Sequence, residues 1–484
     1  MNLAIALAMA ADGHGDRTAV VDAERSLSYH RLHEVAETLA ARLPDDADTV
    51  VAAGVHGTAL AASLFGAAWA GRSFAPVNHR LPADRVASLA RRLAPAQGVA
   101  APPYLAPLDR ELPGSWSAED LFAEAGGRGV AFVEEPVRPA LVLYTSGTAA
   151  EPKAAVVDHD NLLAYLVNTV EYGAAGTDEA VLIAVPPFHI AGVAAVLSAV
   201  WAGRRIVALD GFSPASWIDA VRAESVTHAF VVPTMLARIV EFAAPLPSLR
   251  SLAYGGARMP VPVLERALAL YPHVDFVNAY GLTETSSTIA VLGPDEHRSG
   301  SKLESVGRPV PGVEVEIVDD GHVPVPSGAT GRVRIRGAQV SGRYLGDDPR
   351  APDGWLTTGD LGHLDADGYL YIEGRSDDVV IRGGENIAPA EIEDALLRHP
   401  GVAQAAVVGV PHPEWGEQIA AAVVLHADAD PPAPDDLRAH VRSLLGGLKC
   451  PDVVAVVDDL PLTATGKVVR REVRRLLSER VDIG

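Results

Sequence analysis

Residues 355–393 read WLTTGDLGHLDADGYLYIEGRSDDVVIRGGENIAPAEIE and set an isolated acid, an arginine and a double acid between glycine-rich turns. Asp360 follows Thr358 and Gly359 at a predicted strand end, where a carboxylate accepts hydrogen bonds from two hydroxyls of a ribose. Arg375 offers a planar fork of donors to ribose or phosphate. Asp377 and Asp378 come next, and Arg382, Gly383 and Gly384 allow a sharp bend before a helix opening at Pro389. The spacing reads as a nucleotide grip joined to a hinge. An acidic hairpin with a helix cap explains Asp360 alone but not the whole run.

With 484 residues and 48% hydrophobic content the chain can bury sizeable cores in about two to four domains. A formal net charge of -22 argues against a nucleic-acid partner, which needs a broad basic surface to displace counterions. Any anionic ligand is therefore held locally. Cys450 is the only cysteine, so there is no internal disulfide and no cysteine-based metal cluster. That fits a reducing compartment, with cytoplasm as the default. Residues 1–17 lack a basic region before their apolar run, which predicts an amphipathic first helix and not a secretory signal. Residues 50–71 are mostly Ala and Gly and are interrupted by His56, too weak for membrane insertion. They read as buried strand and helix, and no membrane partner is expected. Monomer and homodimer both stay open.

Between residues 19 and 232, β-rich runs at 19–22, 141–144, 181–185 and 205–209 alternate with Ala/Leu/Arg segments of helical period, an α/β pattern with parallel strands. Residues 305–371 change to short strands between Gly and Pro turns, predicting a small barrel or antiparallel sheet. A compact αβ unit follows: helix 389–398, strands 402–410 and 419–425, helix 434–445 and strand 453–458. The division falls at 1–376 and 377–484.

Residues 141–157, LVLYTSGTAAEPKAAVV, run a hydrophobic strand into a loop of hydroxyls and glycine. Hydroxyls of Thr145, Ser146 and Thr148, backbone amides around Gly147 and the Lys153 ammonium can together face a polyphosphate. It is not a Walker loop, because Pro152 precedes Lys153 and Ala154 follows it. Four shorter motifs accompany it: YGGAR at 254–258, PPFHIAG at 186–192, NAYGLTET at 278–285 and LPLTATGKVVRR at 460–471. Each has a plain reading taken singly: a tight turn, a packed histidine, a capped helix, a solvated basic helix carrying Arg470, Arg471, Arg474 and Arg475.

Taken in order from about residue 16 to 477, these motifs resemble the adenylate-forming superfamily of acyl-CoA ligases, peptide-synthetase adenylation domains and luciferases. The resemblance implies an α/β fold: a large N-terminal AMP-binding domain of two βαβ sheets plus a small distorted β-barrel, and a mobile C-terminal α+β domain. It implies that Tyr280 stacks on adenine, Thr283 contacts the α-phosphate and Glu284 helps hold magnesium. A hard cation beside phosphate oxygens wants such a carboxylate. Gly255, Gly256 and Ala257 then approach the adenine edge, with Asn278, Ala279 and Gly281 nearby. His189 becomes a gate that positions the carboxylate, and Lys467 bridges carboxylate and α-phosphate, neutralising charge as two anions meet. The acyl pocket falls at His189, Ile190, Ala191, Ala279, Gly281, Ser286 and Ser287. Rotation about Asp377 brings Arg382, Gly383, Gly384 and Glu385 to a pantetheine tunnel, with Lys449 near the phosphates of CoA.

The implied activity is formation of an acyl-CoA thioester through an acyl-adenylate, using ATP, magnesium and CoA. The run GGENIAPAEIE is more similar to acyl-CoA ligases than to peptide-synthetase domains, and no carrier-protein domain follows it. Small pocket residues without a charge to read an ammonium predict a bulky apolar or aryl acid of secondary metabolism. The phosphate loop departs from the family form TSGTTGxPKG at Ala149, Ala150 and Ala154. A lost hydroxyl and two added methyls predict an adenylation step weakened or lost with thioester formation retained, the acyl-AMP then coming from a separate adenylating enzyme. An ordinary ATP-dependent ligase is the alternative, and a noncatalytic adenylate-binding protein the third reading.

Overall fold

The computed structural model describes residues 1–123, 131–145, 152–351, 353–382, 385–426, 431–463 and 467–481. Two large sheets form the N-terminal lobe. The first runs, edge to edge, Arg308–Pro309, Ser287–Leu292, Asp275–Leu282, Ser251–Gly255, His228–Val231, Ala180–Ile183, Arg205–Ala208, Thr18–Val21 and Ser26–Ser28. The second runs Arg343–Tyr344, Lys153–Val157, Leu141–Thr145, Ser73–Val77, Thr49–Ala53, Ala96–Ala100 and Trp116–Ser117. Both have parallel interiors. Thr49–Ala53 and Ser73–Val77 are buried at every position, the condition of a parallel strand covered on both faces.

The helix Gly57–Trp69 is buried along its whole length. At Gly66 an added Cβ would lie 2.8 Å from the Ala36 carbonyl oxygen, so the missing side chain lets helix Tyr29–Arg42 approach closely. Residues 50–71 are thus strand and buried helix. The first helix, Ile5–His14, buries Leu7, Ala10 and Ala11 and exposes Met9 and Asp12, but its apolar residues are not segregated to one face, so the amphipathic expectation is not met. Among the described residues no helix is long and apolar enough to cross a membrane.

The third sheet is the antiparallel unit expected between residues 305 and 371. Strands Val313–Val318, Gly331–Gly337, Leu356–Leu364 and Leu370–Arg375 are antiparallel throughout and pair in that order. No ladder joins the first to the last among the described residues, so the sheet is open. Its apolar face instead packs on Ile289 and Ala290 of the first sheet, which takes the place of closure.

In the C-terminal lobe the hairpin Val402–His412 and Gly416–Leu425 is flanked by Val380–Arg382, Glu385–Ile387 and Val453–Val456. Val407, Ile419, Ala421 and Val423 face helices Pro389–Leu397 and Pro434–Leu445, while Ala406, Val408, Ala420 and Ala422 face helix Arg470–Val481. The period of two along each strand gives both faces an apolar side. The hairpin outruns its predicted bounds because Pro411 and His412 still pair with Glu417 and Gly416 through a polar stretch.

One turn positions much of the site. Strand Asp275–Leu282 leads through the one-turn helix Thr283–Thr285 into Ser287–Leu292, which pairs back on it. Ser286 and Ser287 carry the reversal at φ 58° and 113°, and a Cβ on Gly281 would sit 1.6 Å from the Ser287 carbonyl oxygen. Gly281→Ala should therefore lower the unfolding free energy by about 3 kcal/mol through overpacking. An unchanged urea midpoint would contradict this account of the turn.

Candidate active site

Asp360 and Arg375 are direct cross-strand partners on Leu356–Leu364 and Leu370–Arg375, with Arg375 Nη1 3.3 Å from Asp360 Oδ1. Tyr280 Oη donates to Asp360 Oδ2 at 2.5 Å. Burial first, and then the Asp360 charge, hold the Tyr280 hydroxyl well above the usual phenol range, so it stays a donor. Asp360 is only 5% exposed, yet an ionised carboxylate has about four acceptor sites, which leaves room for ribose hydroxyls. Gly359 has a use beyond its place in the turn before Asp360. A Cβ there would lie 2.2 Å from the Arg375 guanidinium, so the glycine lets Arg375 fold across its own sheet.

Gly255 ends strand Ser251–Gly255, where a Cβ would strike the Ala279 carbonyl oxygen at 2.2 Å. Gly256 follows at φ 81°, and its open side faces Lys467, whose Cε lies 4.0 Å from an ideal Cβ. The lysine has crossed from the C-terminal lobe. Its side chain remains open to solvent on the cleft side, but the surrounding protein lowers its pKa by desolvation. Asp360 and Glu284 oppose that shift and Arg375 adds to it. A cavity of about 430 Å³ lies between the lobes, bounded by Gly256, Ala257, Asn278–Leu282, Asp360, Arg375 and Lys467 among others. That lies within the range of about 300–1,000 Å³ usual for small-molecule sites.

Glu284 in the one-turn helix accepts from Tyr344 Oη at 2.5 Å, and the Tyr344 ring centroid is 5.0 Å from Lys153 Nζ. Tyr344 belongs to the edge strand Arg343–Tyr344 of the second sheet, so this tyrosine ties the magnesium candidate to the phosphate-loop lysine. No motif marked it. Among the described residues no cluster of three or more His, Cys, Asp or Glu could hold a cation. Glu284 suits magnesium only as one carboxylate beside phosphate oxygens and water, the usual habit of that ion.

Thr145 pairs with Lys153 across the antiparallel strands that bracket the phosphate loop. Ser146, Gly147, Thr148, Ala149 and Ala150 lie outside the described residues, as do Gly383 and Gly384. Ala154 corrects an expectation. It is 5% exposed within strand Lys153–Val157, opposite Tyr144, and belongs to the apolar core that includes Val51 and Val142. Its methyl enters the core and not the path of a triphosphate, because side chains alternate across the strand.

His189 precedes helix Ile190–Ala202 with its Nε2 shut from solvent and without a hydrogen-bond partner among the described residues, against Phe188 at 4.8 Å between ring centroids. Of the acyl-pocket candidates, Ala279 and Gly281 border the cavity. His189, Ile190, Ala191, Ser286 and Ser287 do not. Ser286 is fully buried and donates to the Gln339 carbonyl at 2.8 Å, a structural use. Asn278 Nδ2 donates to the Ser305 carbonyl at 3.4 Å and Thr283 opens the one-turn helix. In the hinge group, Asp377 lies 3.6 Å from Arg375 Nε. Arg382 binds Asp452 at 2.8 Å, Lys449 binds Glu391 at 2.5 Å, and Glu385 pairs with Arg382 across strands. Arg470 departs from the solvated basic face: it grips Glu393 at 2.8 Å, with Asp378 at 3.4 Å.

The AMP-binding enzyme family matches at residues 7–345 and the AMP-binding enzyme C-terminal domain at 391–467. The chain is 34% identical to the fatty acid–[acyl-carrier-protein] ligase ScoC of Streptomyces coeruleorubidus, over 94% of this chain and 92% of that protein. It is 36% identical to a feruloyl-CoA synthase of Amycolatopsis sp, over 96% and 94%. Its fold matches the solved amide bond synthetase McbA of Marinactinospora thermotolerans with a TM-score of 0.87 at 30% identity, over 98% and 99%. The chain belongs to the AMP-binding enzyme family. Within that adenylate-forming superfamily it stands, by sequence, among the acyl-CoA ligases.

Burial, with the Lys467 and Arg80 charges adding to it, lowers the His189 pKa to about 4, and burial likewise takes His79, His159 and His228 to about 4. All four are neutral at pH 7. The unfolded chain takes up these protons near 6.5, so stability present at neutral pH falls as pH drops from 6.5 toward 4. For the enclosed His159 the slope is up to about 1.4 kcal/mol per pH unit, with less from the more accessible rings. Urea midpoints should drop between pH 7 and pH 5, and equal midpoints would contradict neutral burial.

Proposed function

We propose that this chain is an ATP-dependent acyl-CoA ligase. A carboxylate oxygen attacks the α-phosphate of ATP, pyrophosphate leaves, and the thiol of CoA then attacks the acyl carbon and releases AMP. The observation that supports this reading best is the seat of Lys467 over Gly256, in the field of Asp360 and Glu284. An ammonium there faces the point where two anions must approach, and a partly desolvated setting strengthens its effect on the charge that develops. Asp360 and Arg375 hold the ribose, while Tyr280 offers its ring to adenine. Thr283 meets the α-phosphate, and Glu284 presents its carboxylate to magnesium, which supplies charge neutralisation on the phosphates. Neutral His189 adds no cation to compete for the acid and acts as a gate.

The second step uses rotation about Asp377, between lobes 1–376 and 377–484. Arg382 and Lys449 are paired to residues of their own lobe, Asp452 and Glu391, so rotation carries both pairs along intact. The acyl group is a bulky apolar or aryl acid of secondary metabolism, a reading supported by the small residues Ala279 and Gly281 on the cavity wall and by the feruloyl-CoA synthase relative.

A second reading, with adenylation weakened and acyl-AMP supplied by another enzyme, rests on Ala149 and Ala150 now that Ala154 is accounted for by core packing. Pyrophosphate exchange measured beside thioester formation from synthetic acyl-AMP and CoA separates the two. Weak exchange that rises in the Ala149→Thr with Ala150→Gly variant supports the second reading. Failure of both reactions would leave only an adenylate-binding role. For the main reading, Lys467→Ala should lower exchange by about 10²- to 10³-fold while thioester formation from acyl-AMP changes far less. Equal loss in both would contradict the role given to Lys467.

A further inference from the structure

The lobes meet at a contact that none of the motifs assigns. Arg258 closes the glycine turn at 255–258, and its Nη2 lies 2.6 Å from Asp394 Oδ2 on helix Pro389–Leu397. Its Nη1 donates to the Ala390 carbonyl of the same helix at 3.2 Å. Asp394 is 9% exposed. The adjacent Glu393 grips Arg470 through both guanidinium nitrogens, at 2.8 and 3.1 Å, and Arg470 opens the last helix just after Lys467. From the other side, Lys467 N donates to Thr463 Oγ1 at 3.0 Å and Thr463 N to the Lys467 carbonyl at 2.7 Å. A continuous set of contacts therefore runs from the turn beside the nucleotide cavity to the backbone of the lysine that enters it.

We propose that Arg258 and Asp394 are positioning residues whose ion pair docks helix Pro389–Leu397 on the glycine turn and thereby sets the reach of Lys467 into the cleft. The inference rests on the two-step reading above. Its selectivity follows from where the partners sit. Glu393 and Arg470 both belong to the C-terminal lobe and survive a rotation, whereas Arg258 and Asp394 belong to different lobes and must separate. Without Arg258 the enclosed Asp394 carboxylate faces the like charges of Glu393 and Glu304, and the helix is pushed from its seat. The pair thus favours the adenylating arrangement at the expense of the thioester-forming one.

Arg258→Ala and Asp394→Asn should each lower pyrophosphate exchange on the order of tenfold, as loss of one partner of a largely enclosed pair implies. Thioester formation from synthetic acyl-AMP and CoA should hold or rise. The charge-exchanged Arg258→Asp with Asp394→Arg should recover most of the exchange, which a direct contact of Arg258 with nucleotide would not allow. Spin labels on the exposed positions Glu265→Cys and Ser443→Cys should show a broader distance distribution in the Arg258→Ala background. Equal loss of both half-reactions, no recovery on charge exchange, or an unchanged label distance would each overturn the proposal. A wild-type chain without any pyrophosphate exchange sinks the ATP-dependent reading instead, and the label distances then decide the positioning role alone.

Discussion

A cation borne by one lobe stands in a cleft built by the other, and that constraint shapes the rest of the molecule. Lys467 is partly stripped of hydration there, which lowers its pKa, and the Asp360 and Glu284 carboxylates partly offset it. The same two acids are engaged by tyrosine hydroxyls, Tyr280 on one and Tyr344 on the other. Each hydroxyl is kept protonated by burial and by its acid, so it stays a donor that orients the carboxylate. In a chain with a net charge of -22, cations that can face phosphate have to be concentrated locally, and this cleft gathers Lys467 and Arg375.

The fold serves that placement through close backbone approaches. Gly255 clears the Ala279 carbonyl and Gly281 clears the Ser287 carbonyl. Gly359 lets Arg375 lie across its own sheet. These are contacts of backbone or guanidinium where even a methyl would force displacement, so precision at the cleft comes as much from absent side chains as from the polar ones.

Much of this was legible in the linear chain. The strands and helices after residue 377 lie within a few residues of their predicted places, because period-two and period-3.6 patterns and turn residues act over short distances. Between residues 305 and 371 the sequence left barrel and antiparallel sheet both open, since nothing local says whether the first and last strands of a short antiparallel run meet. Ala154 was misread because a motif records which residue is unusual, not which face of a strand it occupies. Tyr344 carried no signal at all: its partner Glu284 is 60 positions away and its value lies only in that meeting. Arg470 looked like one of several solvated arginines until packing enclosed it against Glu393 and Asp378.

By itself the sequence determined the family of motifs, their order, the two-lobed division and the chemical types available for gripping a nucleotide, all properties set by neighbours along the chain. Tertiary structure alone decided that Tyr280 reaches Asp360 across 80 positions and that Asp394 meets Arg258 in the other lobe. It also decided that Lys467 stands in the cleft. Those outcomes depend on how separate elements pack and on the shared loss of water when charged groups are enclosed together, which no local pattern encodes.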